Sequence, residues 1–508
     1  MPSEFVLSGG VVLAENSSVP IRADITVSGG RIVSVAAPGL EAQAGAERLD
    51  VSGCLVIPGL VNAHYHSHDV LARGMFEDIP LEVWIALAIL PPGQVPTARE
   101  VRLRTLIGAV ENLMNGTTTV QDMLGCGPDS GETIEAALAA YDEVGIRCVM
   151  SLQVGDRPAI DCLPGIRRRM PAALHPLIDG SPPPPGVFLD FVEDALKSPR
   201  RPRLHWAVAP GSPQRCSLPL LAGLGDLARR YDTSLVTHVN ESRLQVFLAE
   251  ELYGGSVLDY LSTAGVLDRR LVMAHGIWFS EAEIARIAEA GSAVATNPAS
   301  NLKLKNGVAP HRALVAMGVR LALGCDNVSA GDAQNMFEAM RSLALLNAGK
   351  GPGEVGLDSR TVFRTATEGG AEVLGLGEEI GAISTGRRAD LVVLDLAAPA
   401  YLPLNDAVRQ IVYAESGRAV RHVIVDGRLV VHDRKPVFVD MAALTAEMAD
   451  LAASVQRDYR AHFERMAPVV AHIGALVREI GTRPLSFDRW ASADDAQDVV
   501  CLGAGTGS

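Results

Sequence analysis

Two histidines one residue apart, His64 and His66, end an apolar run of the chain. Side chains at positions i and i+2 of a β-strand point to the same side of a sheet. Two imidazoles at the carboxyl end of one strand can therefore bind one metal ion, if other strands bring further ligands to the same place. The spacing also occurs without a metal, so the interpretation depends on the rest of the chain.

Other polar residues directly follow apolar runs at three further predicted strand ends. They are His238 with Glu241, then His275, and then Asp326. The carboxyl ends of all strands of a parallel barrel meet on one face, so we expect these side chains to lie beside the two histidines. One such histidine is more often a structural residue, but the recurrence at several strand ends argues against coincidence.

Three imidazoles and one carboxylate suit Zn²⁺, and also Fe²⁺, with a position left for water. The predicted ligands of one divalent metal are His64, His66, His238 and Asp326. Such a metal lowers the pKa of water toward neutrality and makes hydroxide available. Glu241 is the predicted general acid/base, which takes a proton from water and gives it to a substrate nitrogen. His275 is predicted to be a further ligand or to orient the attacking water, and it joins Glu241 and Asp326 as a predicted catalytic residue.

The elements that must position these residues form an α/β pattern. Between about residues 58 and 375, apolar β-branched runs alternate with helical patterns, which is typical of a parallel sheet flanked by helices. Eight strands indicate a (β/α)8 TIM barrel, with an open doubly wound sheet as the alternative. The candidate strands lie near residues 59–66, 117–123, 147–153, 203–210, 234–241, 271–277, 292–298 and 320–327.

The two ends of the chain have a different texture. Residues 1–57 and 376–440 contain short strands separated by glycine pairs and turns, which predicts one small β-sandwich built from both termini. Residues 441–508 are predicted to form a helical tail with a flexible Gly- and Ser-rich end. An insertion near residues 156–201 follows the third barrel strand, and we expect either a lid over the site or a surface excursion or dimer contact.

Composition narrows the class of partner. A formal net charge of −14 argues against nucleic acid, because phosphate would repel the chain. No stretch reaches the roughly 18 apolar residues of a membrane span, and the first residues show no signal peptide. Seven cysteines without a CxxC pair fit a reduced compartment. We expect a soluble cytoplasmic protein that acts on a small molecule and has neither a nucleic-acid nor a membrane partner.

Several motifs together resemble the amidohydrolase superfamily, and more closely its cytosine deaminase-like branch, which includes triazine hydrolases and adenosylhomocysteine deaminases. The motifs are His64-Tyr65-His66, Thr237-His238-Val239-Asn240-Glu241, Ala274-His275-Gly276, the segment 297–304 and Gly324-Cys325-Asp326. The resemblance covers nearly the whole chain and implies a single metal, since the lysine of two-metal members is missing at the end of the fourth strand. It assigns the acid/base role to Glu241 and water activation to His275, and it implies a homo-oligomer.

The substrate side of the resemblance is less complete. The segment from His68 to Trp84 is similar to methylthioadenosine and adenosylhomocysteine deaminases, but Gly93 and Gly211 stand where those enzymes usually carry a glutamate and a histidine. A smaller or differently shaped molecule is therefore favoured over a nucleoside. For Asn301 a structural role in the loop after the seventh strand is the stronger expectation. The candidate substrate contacts are His68, Trp84, His205, Trp206 and Asn301. His205 and Trp206 are expected to end the fourth strand, near the mouth of the barrel.

These residues predict hydrolytic deamination, or a related leaving-group displacement, at an amidine-like carbon of a heterocyclic or guanidine-like compound. Hydroxide adds to the C=N carbon, Glu241 protonates the adjacent nitrogen, and ammonia leaves. Hydrolysis of an amide, urea or carbamate bond by the same residues is the alternative reaction. A non-catalytic binding protein on the same fold would lack a ligand or the acid/base, and the sequence lacks neither.

Overall fold

The chain begins with short strands. The structure is a computed structural model that describes residues 4–14, 19–39, 47–88, 96–348 and 355–490. The amino-terminal strands are β1 (Glu4–Val12), β2 (Ile21–Ser28), β3 (Arg31–Ala36), β4 (Glu47–Asp50) and β5 (Cys54–Pro58). β5 leads through Gly59 straight into the next strand. Gly59 has no room for a side chain, because a methyl group there would lie 2.1 Å from Oγ1 of Thr118.

A parallel barrel follows. Its strands are β6 (Leu60–His66), β7 (Thr117–Gly125), β8 (Arg147–Val154), β9 (Leu204–Pro210), β10 (Leu235–Val239), β11 (Leu271–His275), β12 (Ala293–Thr296), β13 (Arg320–Leu323) and β14 (Asp326–Asn327). β13 and β14 are two halves of one strand, separated by Gly324 and Cys325. β13 pairs with β12 and β14 pairs with β6, so the sheet closes on itself. The eight strand positions confirm the predicted (β/α)8 barrel.

Small side chains fill the barrel interior. Ala63, Ala207, Ala209, Ala295 and Ala322 pack there with valines from neighbouring strands. Parallel strands covered on both faces need apolar residues on both faces, which is why β6 is buried at every position. The larger apolar residues pack outside the barrel, between the strands and the surrounding helices.

The strands of both termini join in one sheet. The carboxyl-terminal strands are β15 (Leu391–Asp395), β16 (Val420–Val425), β17 (Arg428–His432) and β18 (Lys435–Pro436). The order is β18-β17-β16-β15-β5-β1-β2-β3, with β4 paired to β1. β5 joins the two ends, because it pairs with β1 on one side and with β15 on the other. The prediction of a β-structure assembled from both termini is thus confirmed.

The helices surround the barrel and extend beyond it. They are α1 (Leu81–Ala88), α2 (Ala98–Met114), α3 (Gly131–Val144), α4 (Ile166–Arg169), α5 (Pro185–Lys197), α6 (Leu218–Arg230), α7 (Arg243–Tyr253), α8 (Val257–Thr263), α9 (Glu281–Glu289), α10 (Pro298–Lys303), α11 (His311–Ala316), α12 (Val328–Gly331), α13 (Met336–Ala348), α14 (Ser359–Thr365), α15 (Glu368–Val373), α16 (Ala407–Tyr413) and α17 (Met441–Gly481). Short 3-10 turns lie at Ser67–Ala72, Ala159–Cys162, Ala172–Leu177, Pro213–Arg215 and Pro399–Tyr401. No helix within the described ranges has the length and apolar character of a membrane span.

The insertion packs against the last helix of the same chain. Ile160, Ile166 and Met170 share an apolar cluster with Met466 and Val469 of α17. The cluster also contains residues of α1 and α7. α17 agrees with the predicted helical tail. The predicted flexible end, after residue 490, lies outside the described residues.

Candidate metal centre and active site

Three histidines and one aspartate converge at the carboxyl end of the barrel. Their ligand atoms all lie within 4.8 Å of one another, and the residues are His64, His66, His238 and Asp326. The Nε2 atoms of His66 and His238 are 3.3 Å apart. Oδ1 of Asp326 lies 3.3 Å from Nε2 of His64 and 3.5 Å from Nε2 of His66. The structure thus brings together the four residues that the sequence singled out as ligands.

The rings of His66 and His238 are oriented as metal ligands require. Nδ1 of His66 donates to the carbonyl of Met123 over 2.7 Å, and Nδ1 of His238 donates to the carbonyl of Gly211. A neutral imidazole that donates through Nδ1 presents a lone pair at Nε2. Burial, followed by the nearby His64, lowers the pKa of His238 to about 3. The ring is therefore neutral at pH 7, which is the state a metal ligand needs.

Buried polar atoms without a hydrogen-bond partner lie in the same cluster of histidines and aspartate. Both ring nitrogens of His64 and Oδ1 of Asp326 have no hydrogen-bond partner among the described residues. An unpaired buried polar group costs about 1–3 kcal/mol, so such atoms are normally satisfied by a partner. A divalent metal would satisfy them, and three imidazole nitrogens with one carboxylate oxygen are donors that zinc accepts. The residues present therefore fit such an ion.

The backbone at the first strand explains why both histidines face the site. The register of β6 against β7 shifts between Asn62 and Tyr65. Ala63 packs inside the barrel and Tyr65 packs outside it, in the cluster that includes α2. Irregularities of this kind are common beside active sites because they redirect side chains. The shift allows His64 to follow Ala63 directly on the inner side.

Asp326 is held in a costly backbone conformation. Its φ of 65° lies in the left-handed region, which L-residues adopt rarely. Oγ of Ser300 donates to Oδ2 of Asp326, and Nε2 of Gln334 donates to its carbonyl over 2.9 Å. These two bonds fix both the carboxylate and the backbone, and they leave Oδ1 directed at the histidines.

Glu241 lies at the edge of this cluster. Oε1 of Glu241 is 3.6 Å from Nε2 of His275, and Nδ2 of Asn306 donates to Oε1 over 3.1 Å. Burial raises the pKa of Glu241 well above its usual value, and the carboxylates of Asp326 and Glu82 raise it further. A glutamate with a raised pKa can hold a proton and release it closer to neutral pH. This position is compatible with the acid/base role predicted for Glu241, which stays a prediction.

His275 is fixed by an amide. Its Nδ1 donates to Oδ1 of Asn301 over 2.8 Å, and Asn301 is itself buried. Nε2 of His275 therefore carries a lone pair, which faces Glu241 and lies 3.9 Å from Oδ2 of Asp326. Burial lowers the pKa of His275 to about 4, so the ring is neutral at pH 7. The two roles predicted for His275 both use this lone pair. The predicted substrate contact Asn301 instead binds His275, in line with the structural role expected for it.

Two further predicted substrate contacts lie at this face. The ring of His68 is 4.9 Å from the ring of His66, and its Nδ1 accepts from the backbone N–H of Gly125. Nε1 of Trp84 donates to Oγ of Ser329 over 2.9 Å. Trp84 is buried, and its contact with a substrate stays a prediction.

His205 and Trp206 do not lie at the mouth, where the sequence predicted them. Both are at the amino end of β9, five or six residues before Gly211, or about 16–20 Å along an extended strand. Burial, followed by the charge of Arg147, lowers the pKa of His205 to about 4. Nε1 of Trp206 donates to Oγ of Ser198 over 3.0 Å. The prediction of position was wrong because both residues begin the strand, and only its last residues reach the site.

Some site residues were not predicted. Asn306 and Ser300 bind Glu241 and Asp326, and Oγ of Ser242 donates to Oε1 of the buried Glu82. Ser300 lies within the segment 297–304 that the sequence had marked, whereas Asn306 follows it with no distinguishing spacing. Of the two positions that depart from the nucleoside deaminases, Gly211 provides the carbonyl that binds His238. Gly93 lies outside the described residues.

Comparison with known proteins decides the family. A model of the Amidohydrolase family matches residues 55–430. The chain belongs to this family. It is 32% identical to the 5-methylthioadenosine/S-adenosylhomocysteine deaminase of Syntrophobacter fumaroxidans over 80% of this chain and 87% of that relative. The family resemblance predicted from the sequence is thus confirmed.

Solved structures of family members have the same fold. An adenosine deaminase from Xanthomonas campestris with bound zinc has a TM-score of 0.77 and 29% identity, over 89% of this chain and 98% of that one. The zinc complex of atrazine chlorohydrolase from Arthrobacter aurescens has a TM-score of 0.78 and 24% identity, over 88% of this chain and 100% of that one, and shows the fold alone. The deaminase relative and the Xanthomonas campestris enzyme confirm a hydrolytic enzyme that acts on carbon–nitrogen bonds, and they support metal-dependent hydrolytic deamination.

Proposed function

We propose that this amidohydrolase is a deaminase with one metal ion per chain, which replaces the amino group on an amidine-like ring carbon of a small heterocycle and releases ammonia. The observation that carries the proposal is the position of the Glu241 carboxylate, 3.6 Å from His275 and beside four convergent ligand residues. A proton carrier at that place matches a reaction in which a ring nitrogen must gain a proton before the amine can leave.

The metal is proposed to be zinc, bound by the four convergent residues. Support comes from the unpaired nitrogens of His64 and from the zinc named for the Xanthomonas campestris enzyme. Residues 204–210 contain no lysine that could bridge a second ion. The chemistry that such an ion supplies is a water whose pKa falls toward neutrality, so that hydroxide is available.

The side chains then divide the proton transfers. Glu241 takes the proton of the attacking water and delivers it to the ring nitrogen next to the reacting carbon. Nε2 of His275 accepts a hydrogen bond from the water and aligns it, and Asn301 keeps that nitrogen unprotonated. Asn306 fixes the carboxylate of Glu241 during both transfers. Glu241 then carries the remaining proton of the added hydroxyl to the amino group, the carbon–nitrogen bond breaks, and ammonia departs while the carbon keeps the oxygen as a carbonyl.

An aminated purine-like or triazine-like ring is the proposed substrate class. The relative from Syntrophobacter fumaroxidans is named for two adenine-containing compounds, which supports an adenine-type ring. Gly211 provides no side chain at its position, so groups attached to the ring would be bound by other residues. Nucleosides, free bases and aminated triazines therefore all belong in a substrate panel.

The proposed location of the enzyme is the cytoplasm, and its proposed assembly is a homo-oligomer. Six cysteines of the described residues are free thiols, which supports a reducing compartment. Light scattering after size exclusion measures the mass of the assembly, and a mass of one 53.6 kDa chain would refute the oligomer.

Ammonia release tests the proposed activity. Purified protein loaded with zinc is incubated with the panel, and a chelated sample is the control. We expect zinc-dependent ammonia from at least one compound. If the zinc-loaded protein releases ammonia from no compound of the panel, cleavage of an amide, urea or carbamate bond is favoured instead.

Metal analysis tests the ligand set separately. His238→Ala should lose bound zinc and activity together. His472→Ala, on α17, removes a histidine away from the cluster and should keep one zinc per chain. Loss of activity in His238→Ala with zinc retained would contradict the ligand assignment.

A further inference from the structure

An extended segment follows α17 and lies against two loops of the active-site face. We call residues 483–490 the carboxyl-terminal strap. Leu485, Phe487 and Arg489 are half-buried, whereas Ser486 and Asp488 between them are exposed. This alternation is typical of an extended chain with one face on a surface. The surface is formed by the loops that follow β11 and β12, which carry the residues after His275 and the segment that reaches Asn306.

The strap is hydrogen-bonded to both loops, to one through its backbone and to the other through a side chain. The N–H of Val308 donates to the carbonyl of Arg489 over 2.7 Å. Nη2 of Arg489 donates to the carbonyl of Phe279, also over 2.7 Å. Gly307 between these contacts has a φ of 108°, and a methyl group on it would lie 2.5 Å from the carbonyl oxygen of Arg489. The strap therefore approaches the loop so closely that only glycine fits.

Aromatic packing adds a second attachment. Trp278 is fully buried, and the ring of Trp490 meets it edge to face at 5.0 Å between centroids. Phe487 packs on the same indole at 6.4 Å. Nε1 of Trp278 donates to the carbonyl of Asn306 over 2.7 Å. The strap thus fixes this loop in two ways. Trp278, which the strap covers, binds the carbonyl of Asn306, and the strap itself binds the N–H of Val308.

We infer that the carboxyl-terminal strap positions the proposed acid/base: it fixes residues 306–308 so that the amide of Asn306 donates to Oε1 of Glu241. The inference rests on the proposed role of Glu241. Trp490 and Phe487 are positioning residues, because they act through Trp278 and Asn306. A strap that only covered apolar surface would affect stability without a specific effect on this loop.

Hydrogen–deuterium exchange tests the structural half of this inference on the full-length, zinc-loaded protein. Trp490→Ala should raise exchange in peptides that cover residues 303–309. Peptides that cover residues 126–130, which the strap does not contact, should not change. Ser486→Ala, at an exposed position of the same strap, should leave residues 303–309 as protected as in the wild type. Unchanged exchange there in Trp490→Ala would overturn the inference.

The functional half of the inference is tested by kinetics with a panel compound that the enzyme deaminates. Trp490→Ala should lower kcat by about tenfold, the effect expected when the hydrogen bond that fixes Glu241 is lost, while KM stays within about twofold. Trp490→Phe keeps an aromatic ring on Trp278 and should restore most of kcat. Equal losses in both variants, or a change in KM alone, would count against a positioning role.

A double-mutant cycle identifies the residue through which the strap acts. Asn306→Ala removes the amide, so adding Trp490→Ala to it should lower kcat by less than about twofold further. If the loss of kcat in the double variant equals the product of the two single losses, the strap does not act through Asn306. If the wild-type chain deaminates nothing, the proposed function fails, and the exchange experiment still decides whether the strap holds the loop.

Discussion

Nδ1 of His275 donates a hydrogen bond to Oδ1 of Asn301 over 2.8 Å, and both residues are buried. This bond decides which ring nitrogen carries the proton. Asn301→Ala allows either tautomer, so we expect kcat to fall by roughly ten- to a hundredfold, a range typical of lost partners of metal-site histidines. Zinc content should not change. Asn301→Asp still accepts the bond and should retain more activity; equal activity of the two variants would contradict this account.

Glu241→Gln removes the proton carrier but keeps the shape of the side chain. We expect kcat to fall by at least about a hundredfold, because general acid/base catalysis contributes roughly 10²–10⁴. Bound zinc, measured by mass spectrometry of the metal, should remain at the wild-type level. Near-full turnover with metal retained would refute the role given to Glu241.

Gly324→Ala should disturb the metal centre. A methyl group at this position would lie 2.4 Å from Oδ1 of Asn297 and 2.9 Å from Cβ of His64. His64 must move to avoid the contact, so we expect weaker zinc binding, measured by competition with a chelator. Gly131→Ala is the matched control, because nothing lies within 4 Å of the added group. Equal zinc affinity in the two variants would show that His64 has room to move.

Asp390→Ala should destabilise the junction between barrel and terminal sheet. Nη2 of Arg147 lies 3.0 Å from Oδ1 of Asp390, and both side chains are at most 4% exposed. Removing one partner leaves a buried charge, so we expect a loss of about 3–5 kcal/mol in the free energy of unfolding. Asp450→Ala breaks an exposed pair with Arg99 and should cost at most about 1 kcal/mol. Denaturant unfolding measures both, and similar losses would disprove the difference.

His311 should make stability depend on pH. Burial lowers its pKa to about 3, whereas the unfolded chain has a value near 6.5. Below pH 6.5 the unfolded state binds a proton that the folded state does not, so stability falls as pH falls toward 3, by up to about 1.4 kcal/mol per pH unit. His311→Gln removes this group. Its free energy of unfolding should decline less steeply than that of the wild type between pH 6.5 and 4, and parallel declines would contradict the assignment.

The sequence was sufficient for the barrel and the convergence of its ligands. Each predicted strand overlaps an observed one, because buried parallel strands are nearly continuous apolar runs bounded by turns. The ligand residues stand at strand ends, where chain direction alone decides the face. The role of each ligand stays a prediction until metal analysis is done.

Contacts that depend on the path of a loop could not be predicted. Asn306 reaches Glu241 because a loop returns across 65 residues of chain separation, and no local pattern records that path. His205 shows a different limit. Its apolar neighbours correctly indicated a strand, but the position of a polar residue within a short strand decides whether it faces the site or the opposite end of the barrel.

The interruption at Gly324 and Cys325 places a predicted metal ligand, Asp326, on the half-strand that closes the barrel. His64 and His66 belong to the first strand and Asp326 to the last, and these strands pair directly. An ion bound by all three residues would link the first strand of the barrel to the last. Because such an ion binds only the folded chain, its binding free energy adds to the free energy of folding. Chelation should then loosen the joint between the two ends of the barrel, and the cost of losing the metal would be structural as well as catalytic.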